Sequence, residues 1–220
     1  MRMRKKKNLI PRMERCAACR IRDGFALRGR WRETLMPGAG ALRLELGCGK
    51  GRFTVETARQ NPDVLFVAIE KVPDALVVAM ERAMELELKN VFFLVGDAAL
   101  LPDYFDGGEA DLIYINFCDP WPPRGQAKRR LTHRDFLETY RKVLRPGGQI
   151  HFKTDNQPLF EFSLLEFPAA GYELSEVTRN LHGEGPRGVM TDYEAKFFAE
   201  GLPINRCVGT MADRAAAGEA

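Results

Sequence analysis

Apolar positions along the chain fall into two alternating rhythms. Short compact runs occur at Leu42–Leu46, Val64–Ile69, Val91–Val95, Asp111–Phe117 and Gln149–Lys153. Their length and their β-branched and aromatic content predict buried strands. Between them lie segments with helical spacing. The longest is Pro73–Lys89, with Leu76, Val77, Met80, Ala83, Met84 and Leu88 on one face. Arg52–Gln60 predicts a helix that stops before Asn61-Pro62. Thr132, with Asp135 three residues on, predicts the N-cap of a helix running to Leu144 and ended by Arg145-Pro146-Gly147-Gly148. Pro158–Phe167 predicts one more helix. Strand and helix in strict alternation imply an α/β fold with a doubly wound, mostly parallel sheet. The pattern then changes. Tyr172–Leu181 and Ile204–Thr210 are strand candidates with only Thr191–Glu200 between them, which predicts an antiparallel edge.

Charge divides the chain further. The net charge is +3, yet residues 1–32 hold 12 Arg or Lys against Glu14 and Asp23 alone. The expected layout is therefore a basic, partly ordered arm over residues 1–35, one domain over 36–211 and a disordered Ala/Gly-rich tail over 212–220. Such an arm implies either a polyanionic partner or a merely solvated terminus. No apolar run is long enough to span a membrane and no apolar stretch follows the basic N-terminus, so a cytoplasmic protein is expected. Five scattered cysteines argue against a disulfide framework. Cys16 and Cys19 form a C-x-x-C without a second pair, so no metal site is expected.

In doubly wound sheets ligands bind beyond the carboxyl ends of the strands. The first strand ends in the turn Gly47-x-Gly49-x-Gly51, with Glu45 just before it. Glu70, Asp97 and Asp119 follow the next three. A dinucleotide site would prefer G-x-G-x-x-G and no acid beside the pyrophosphate. An acid there suits a cationic ligand carrying an amino group, a ribose and an adenine, which describes S-adenosylmethionine. Glu70 is then placed for the ribose hydroxyls and Asp97 for the adenine amine. The competing reading is that the glycines only turn the chain and the acids only cap helices.

The fourth strand runs into Asp119-Pro120-Trp121-Pro122-Pro123, followed by Arg124, Lys128, Arg129, Arg130 and Arg134 without an intervening acid until Asp135. A carboxylate, a ring, a stiff backbone and clustered positive charge suit a base of a polyanion. Trp121 reads either as a stacking platform or as an anchor for the turn, and the basic run either as an RNA contact or as a solvated helix start.

These segments carry a resemblance. LELGCGKG (44–51), IE (69–70), GDA (96–98), DPWP (119–122), KRRLT (128–132), KTD (153–155) and TDYEAKF (191–197) occur in order over roughly residues 40–210. The chain resembles the bacterial tRNA (guanine-N(7)-)-methyltransferases. DPWP with KRRL, and the TDYE segment, are far more specific than the glycine turn. The resemblance implies a Rossmann-like class I fold and methylation of a guanosine in the tRNA variable loop with S-adenosylmethionine as donor. It implies donor binding by Glu45, Glu70, Asp97 and Asp119, with Asp119 also catalytic. It implies substrate contacts from Asp155, Thr191, Asp192, Tyr193 and Glu194. Arg124, Lys128, Arg129 and Arg130 are the expected RNA contacts. In one place the chain departs from the family: Pro123 stands where relatives carry a substrate lysine, so that role is not carried over. Methylation of another substrate, or RNA binding without catalysis, are the competing functions.

Overall fold

The computed structural model describes residues 7–212; the side chain of Arg124 is outside that description. The strands are β1 (Arg20–Ile21), β2 (Ala41–Leu46), β3 (Val64–Glu70), β4 (Val91–Val95), β5 (Ala110–Asn116), β6 (Leu144–Thr154), β7 (Tyr172–Thr178) and β8 (Asn205–Met211). They form one sheet in the order β1-β4-β3-β2-β5-β6-β8-β7. Pairing is parallel from β1 through β6 and antiparallel at β6–β8 and β8–β7. The doubly wound, mostly parallel sheet with an antiparallel edge is therefore as the alternation implied, and it is the Rossmann-like fold that the resemblance implied. The topological switch lies between β2 and β5, where the order reverses.

Helices α1 (Leu9–Arg15), α3 (Arg52–Gln60) and α4 (Pro73–Glu85) cover one face of the sheet. Helices α5 (Leu101–Tyr104), α6 (Arg134–Arg141) and α7 (Gln157–Ala169) pack on the other, with the short α2 (Trp31–Leu35) at its edge. Helix α8 (Asp192–Ala199) precedes β8. The central strands read as continuous apolar runs because both faces are buried: Val64 through Ile69 are all buried.

Of the segment expected to be a partly ordered arm, residues 7–35 are folded onto this body. Trp31 is fully buried, stacks on Phe105 at 4.7 Å and donates its indole N–H to the Tyr104 carbonyl at 2.8 Å. Met13, Cys16, Cys19 and Ile21 are buried with α4 and β4 or under the sheet edge. Several of the arm's charges pair with acids of the body: Arg12 with Glu81 at 2.5 Å, Arg28 with Asp106 at 2.9 Å and Arg32 with Asp111 at 2.8 Å. The most basic residues, 1–6, and the tail 213–220 lie outside the described residues.

Most boundaries shift by a residue or a few, and three of the differences have a local cause. Helix α4 ends at Glu85, because Glu87 takes a left-handed conformation (φ 52°) that lets the Leu88 N–H reach back to Ala83. The N-cap of α6 is His133, whose Nδ1 accepts from the Asp135 N–H at 3.2 Å. Thr132 is instead buried, its hydroxyl accepting from Ser163 at 2.7 Å. Finally, β6 begins at Leu144, so Pro146-Gly147-Gly148 forms an irregularity inside a strand and does not stop a helix.

Candidate active site

The carboxyl ends of β2, β3, β4 and β5 open onto a cavity of about 480 Å3. Gly47, Glu70, Asp97 and Asp119 line it, as do Trp121, Lys128 and Arg129 from the segment after β5. The glycine turn exists because three residues need positive φ: Gly47 (76°), Gly49 (56°) and Gly51 (75°). Gly47 and Gly49 have open space where a Cβ would stand. Gly51 does not: a Cβ there would lie 2.4 Å from the Ala79 Cβ, so it lets α3 and α4 touch and does not line the cavity.

The four strand-end acids are not equivalent. Glu70 accepts from the Gly49 N–H at 3.0 Å and the Val72 N–H at 2.9 Å, which ties the glycine turn to the β3 end. Asp97 accepts from the Ala99 N–H at 3.0 Å and pairs with Lys71 at 2.8 Å. Burial works against its charge, but these two partners hold it below the usual carboxylate range. Asp119 is exposed at the cavity wall. Glu45 is only 3 % exposed and stands behind the turn, outside the cavity lining, bonded to the Thr54 hydroxyl and to the Asn116 amide at 3.0 Å. Burial pushes its carboxyl up, against the pull of Thr54, Asn116 and Lys153. The Cys118 thiol beside Asp119 is pushed up to about 12 by burial, so it is no nucleophile at neutral pH.

The basic segment also separates. Arg129 lies 3.5 Å above the Trp121 ring and Lys128 is exposed; both face the cavity. Arg130 points the other way. It donates to the Pro120 and Trp121 carbonyls, each at 3.0 Å, and covers the Phe162 ring. Trp121 itself has φ 41°, a left-handed conformation unusual for a ring, and Arg130 grips its carbonyl. Arg124 opens the 3-10 turn Arg124–Arg129. Arg134 is bound to Glu166 through three hydrogen bonds.

Of the residues expected to meet substrate, Asp155 and Tyr193 are exposed. Thr191 and Glu194 form a capping box on α8. Glu194 is fully buried between Lys153 and His182. Asp192 pairs with Arg82 at 2.9 Å, and Arg82 also donates to the Lys50 carbonyl in the glycine turn. Sequence reasoning missed Lys71 and Arg82, which brace the site. Lys71 was findable as the charge next to a strand-end acid; Arg82 was not, since its partners are 32 and 110 residues away.

Known proteins place this chain in a family. A family model described as a putative methyltransferase matches residues 39–207. The tRNA (guanine-N(7)-)-methyltransferase of Clostridioides difficile is 42 % identical over 94 % of this chain and 97 % of its own. That of Geobacillus thermodenitrificans is 46 % identical over 85 % of this chain and 87 % of its own. The fold matches the 16S rRNA methyltransferase KamB, with a TM-score of 0.64 at 21 % identity over 82 % of this chain and 92 % of that one. With relatives this similar over nearly the full length, the chain belongs to the tRNA (guanine-N(7)-)-methyltransferase family.

Proposed function

We propose that the chain carries out its family's reaction through Asp119, methylating N(7) of a guanosine in the tRNA variable loop. The observation that carries this reading is the joint wall: Glu70, Asp97 and Asp119 line the same cavity as Trp121, Lys128 and Arg129. Acceptors for a ribose and an adenine amine thus share one hollow with groups suited to RNA. S-Adenosylmethionine, when bound, supplies an electrophilic methyl group.

Glu70 and Asp97 hold the donor's ribose and adenine, and Gly47 leaves room for its chain. Guanine N(7) has a free lone pair, so no base has to remove a proton before attack. Alignment does most of the work. Positive charge arrives on the purine, and the exposed carboxylates of Asp119 and Asp155 stabilise it and accept from the guanine edge. Tyr193, 63 % exposed at the start of α8, is free to stack on the flipped base. Lys128 and Arg129 neutralise phosphates beside it. Glu45, Thr191 and Glu194 act by holding the turn and α8 in place. Residues 36–211 form the catalytic unit, with the segment before them as its basic brace, and the reaction belongs to the cytoplasm, where tRNA is processed.

Labelled S-adenosylmethionine and unmodified tRNA test the reading, with borohydride and aniline cleavage to locate the product. Label at a variable-loop guanosine is the expected result. A bound donor with no label in RNA would exclude it.

A further inference from the structure

A second cavity, of about 390 Å3, lies on the α3 face of the sheet. Tyr114, His151 and Arg206 project there with Asn116 and Lys153, following the registers of β5, β6 and β8. Leu46 and Ile69 of the donor cavity belong to the core of the other face. Nothing in the reaction above uses this hollow.

Its lining is cationic. Arg43, Lys153, Arg187 and Arg206 stand against a single lining acid, Glu176, which pairs with Arg206. Lys153 is matched by Glu194 and Arg187 by Glu184. Arg43 has no carboxylate partner among the described residues; it reaches only the Tyr114 hydroxyl at 3.4 Å and the Phe66 ring. His151 reports the same field: burial first, then Arg206, hold its imidazole down to about 4.

The lining also holds two unmatched buried oxygens. Among the described residues, Thr57 Oγ1 and Asn116 Oδ1 are the only buried side-chain polar atoms without a hydrogen-bond partner. The two residues are 7 % and 6 % exposed, and both line this cavity. A buried polar atom left unmatched is costly, so two on one hollow point to a ligand. The Asn116 amide N–H donates to Glu45 at 3.0 Å, which leaves its carbonyl to accept. Arg43, the lining cation without a carboxylate, is left to meet an anion, whereas Asn116 demands a donor. Phe53 and Leu181 add apolar wall.

We propose that this cavity binds a nucleotide, its phosphate held by Arg43, Arg187 and Arg206 and a hydroxyl or amine donating to Asn116. The nucleotide is either one residue of the RNA or a free mononucleotide, since both present the same chemistry. The site stands whether or not the methyl acceptor is the guanosine proposed above.

The test uses the full chain with S-adenosylhomocysteine in excess, so that the donor cavity is filled. Adenosine monophosphate is titrated calorimetrically into the wild type and into Arg43→Ala, Arg187→Ala and Thr57→Val. Binding to the wild type, weakened roughly ten-fold by each arginine change, is expected from the loss of a charged hydrogen bond. Thr57→Val removes an unmatched hydroxyl, so it should weaken the nucleotide while the ligand-free melting temperature holds or rises. Arg43→Lys should restore part of the affinity. If the nucleotide belongs to RNA, the arginine variants also weaken tRNA binding and adenosine monophosphate competes with tRNA. If it is free, tRNA affinity is unchanged. Absence of adenosine monophosphate binding together with unaltered tRNA affinity overturns the proposal, as does equal nucleotide binding by the wild type and every variant.

Discussion

Lys153 on β6 lies 2.6 Å from Glu194 on α8, and both side chains are buried, at 9 % and 0 % exposure. The pair joins the last parallel strand to the helix that carries Tyr193. Burial lowers the Lys153 pKa and Glu194 pulls it back. Glu194 also accepts from His182 at 3.0 Å, and it closes the α8 capping box. Its removal strands a buried ammonium, which costs about 3–5 kcal/mol. Glu194→Gln should therefore lower urea stability by about that much, whereas a Lys153→Met/Glu194→Gln double variant, which keeps an acceptor for His182 and the Thr191 N–H, should recover part of it. A single variant as stable as the wild type would mean that the pair does not hold α8.

The two halves of the basic run should respond differently. Lys128 and Arg129 face the cavity at the strand ends, whereas Arg130 donates to the Pro120 and Trp121 carbonyls. Changing Lys128 and Arg129 to Ala should weaken tRNA binding and reduce the log–log salt slope by about one for each phosphate no longer neutralised. Arg130→Ala should lower the melting temperature and methyl transfer together, with little change in the slope. A salt slope that falls for Arg130→Ala and holds for the other pair would reverse the assignment.

Glu166 makes a pH-dependent contribution whose sign is fixed. The Arg134 hydrogen bonds lower its carboxyl below the usual range, against burial. The unfolded chain therefore binds the proton more readily. The stabilisation is complete above about pH 4.3, the ordinary glutamate value, and is lost as pH falls through the folded value. Urea unfolding of Glu166→Gln should be weaker than wild type at neutral pH and converge with it in acid. Parallel profiles across that range would remove Glu166 from the acid response.

The strands were legible because their apolar runs are buried on both faces, and periodicity reports burial directly. Val91–Val95 matched residue for residue, and Gly47, Glu70, Asp97 and Asp119 share a cavity as their positions at strand ends implied. What periodicity misses is where a long side chain goes. Arg130 and Arg129 are neighbours in sequence, yet one grips backbone carbonyls and the other covers Trp121. Glu45 sits one residue before the end of β2, where alternation turns it under α3 to Thr54, away from the cavity. Thr191 and Glu194 have capping-box spacing, a local signal that the family motif overshadowed.

Gly51 tests the frame of the site without touching its chemistry. A methyl group there would meet Ala79 at 2.4 Å, and the backbone already has φ 75°. Gly51→Ala must both strain the chain and push α4 from α3, at about 3 kcal/mol. Gly49→Ala has open space and should show the backbone strain alone, about 1 kcal/mol. Urea unfolding of the two variants should preserve this order; equal destabilisation would mean that helix packing is not what Gly51 permits.

Asp119 is the sharpest test of the reaction. It is the exposed carboxylate on the cavity wall, next to a thiol that burial keeps protonated. If it stabilises charge arriving on the purine, its loss acts on the transition state more than on binding. Asp119→Ala should lower kcat about 10²–10³-fold while the tRNA Kd stays near wild type. Asp119→Asn keeps an acceptor oxygen but loses the charge, so it should fall between the two. A kcat within a few-fold of wild type for Asp119→Ala would leave alignment by the remaining residues as the whole of catalysis. A Kd raised as much as kcat is lowered would instead make Asp119 a binding group.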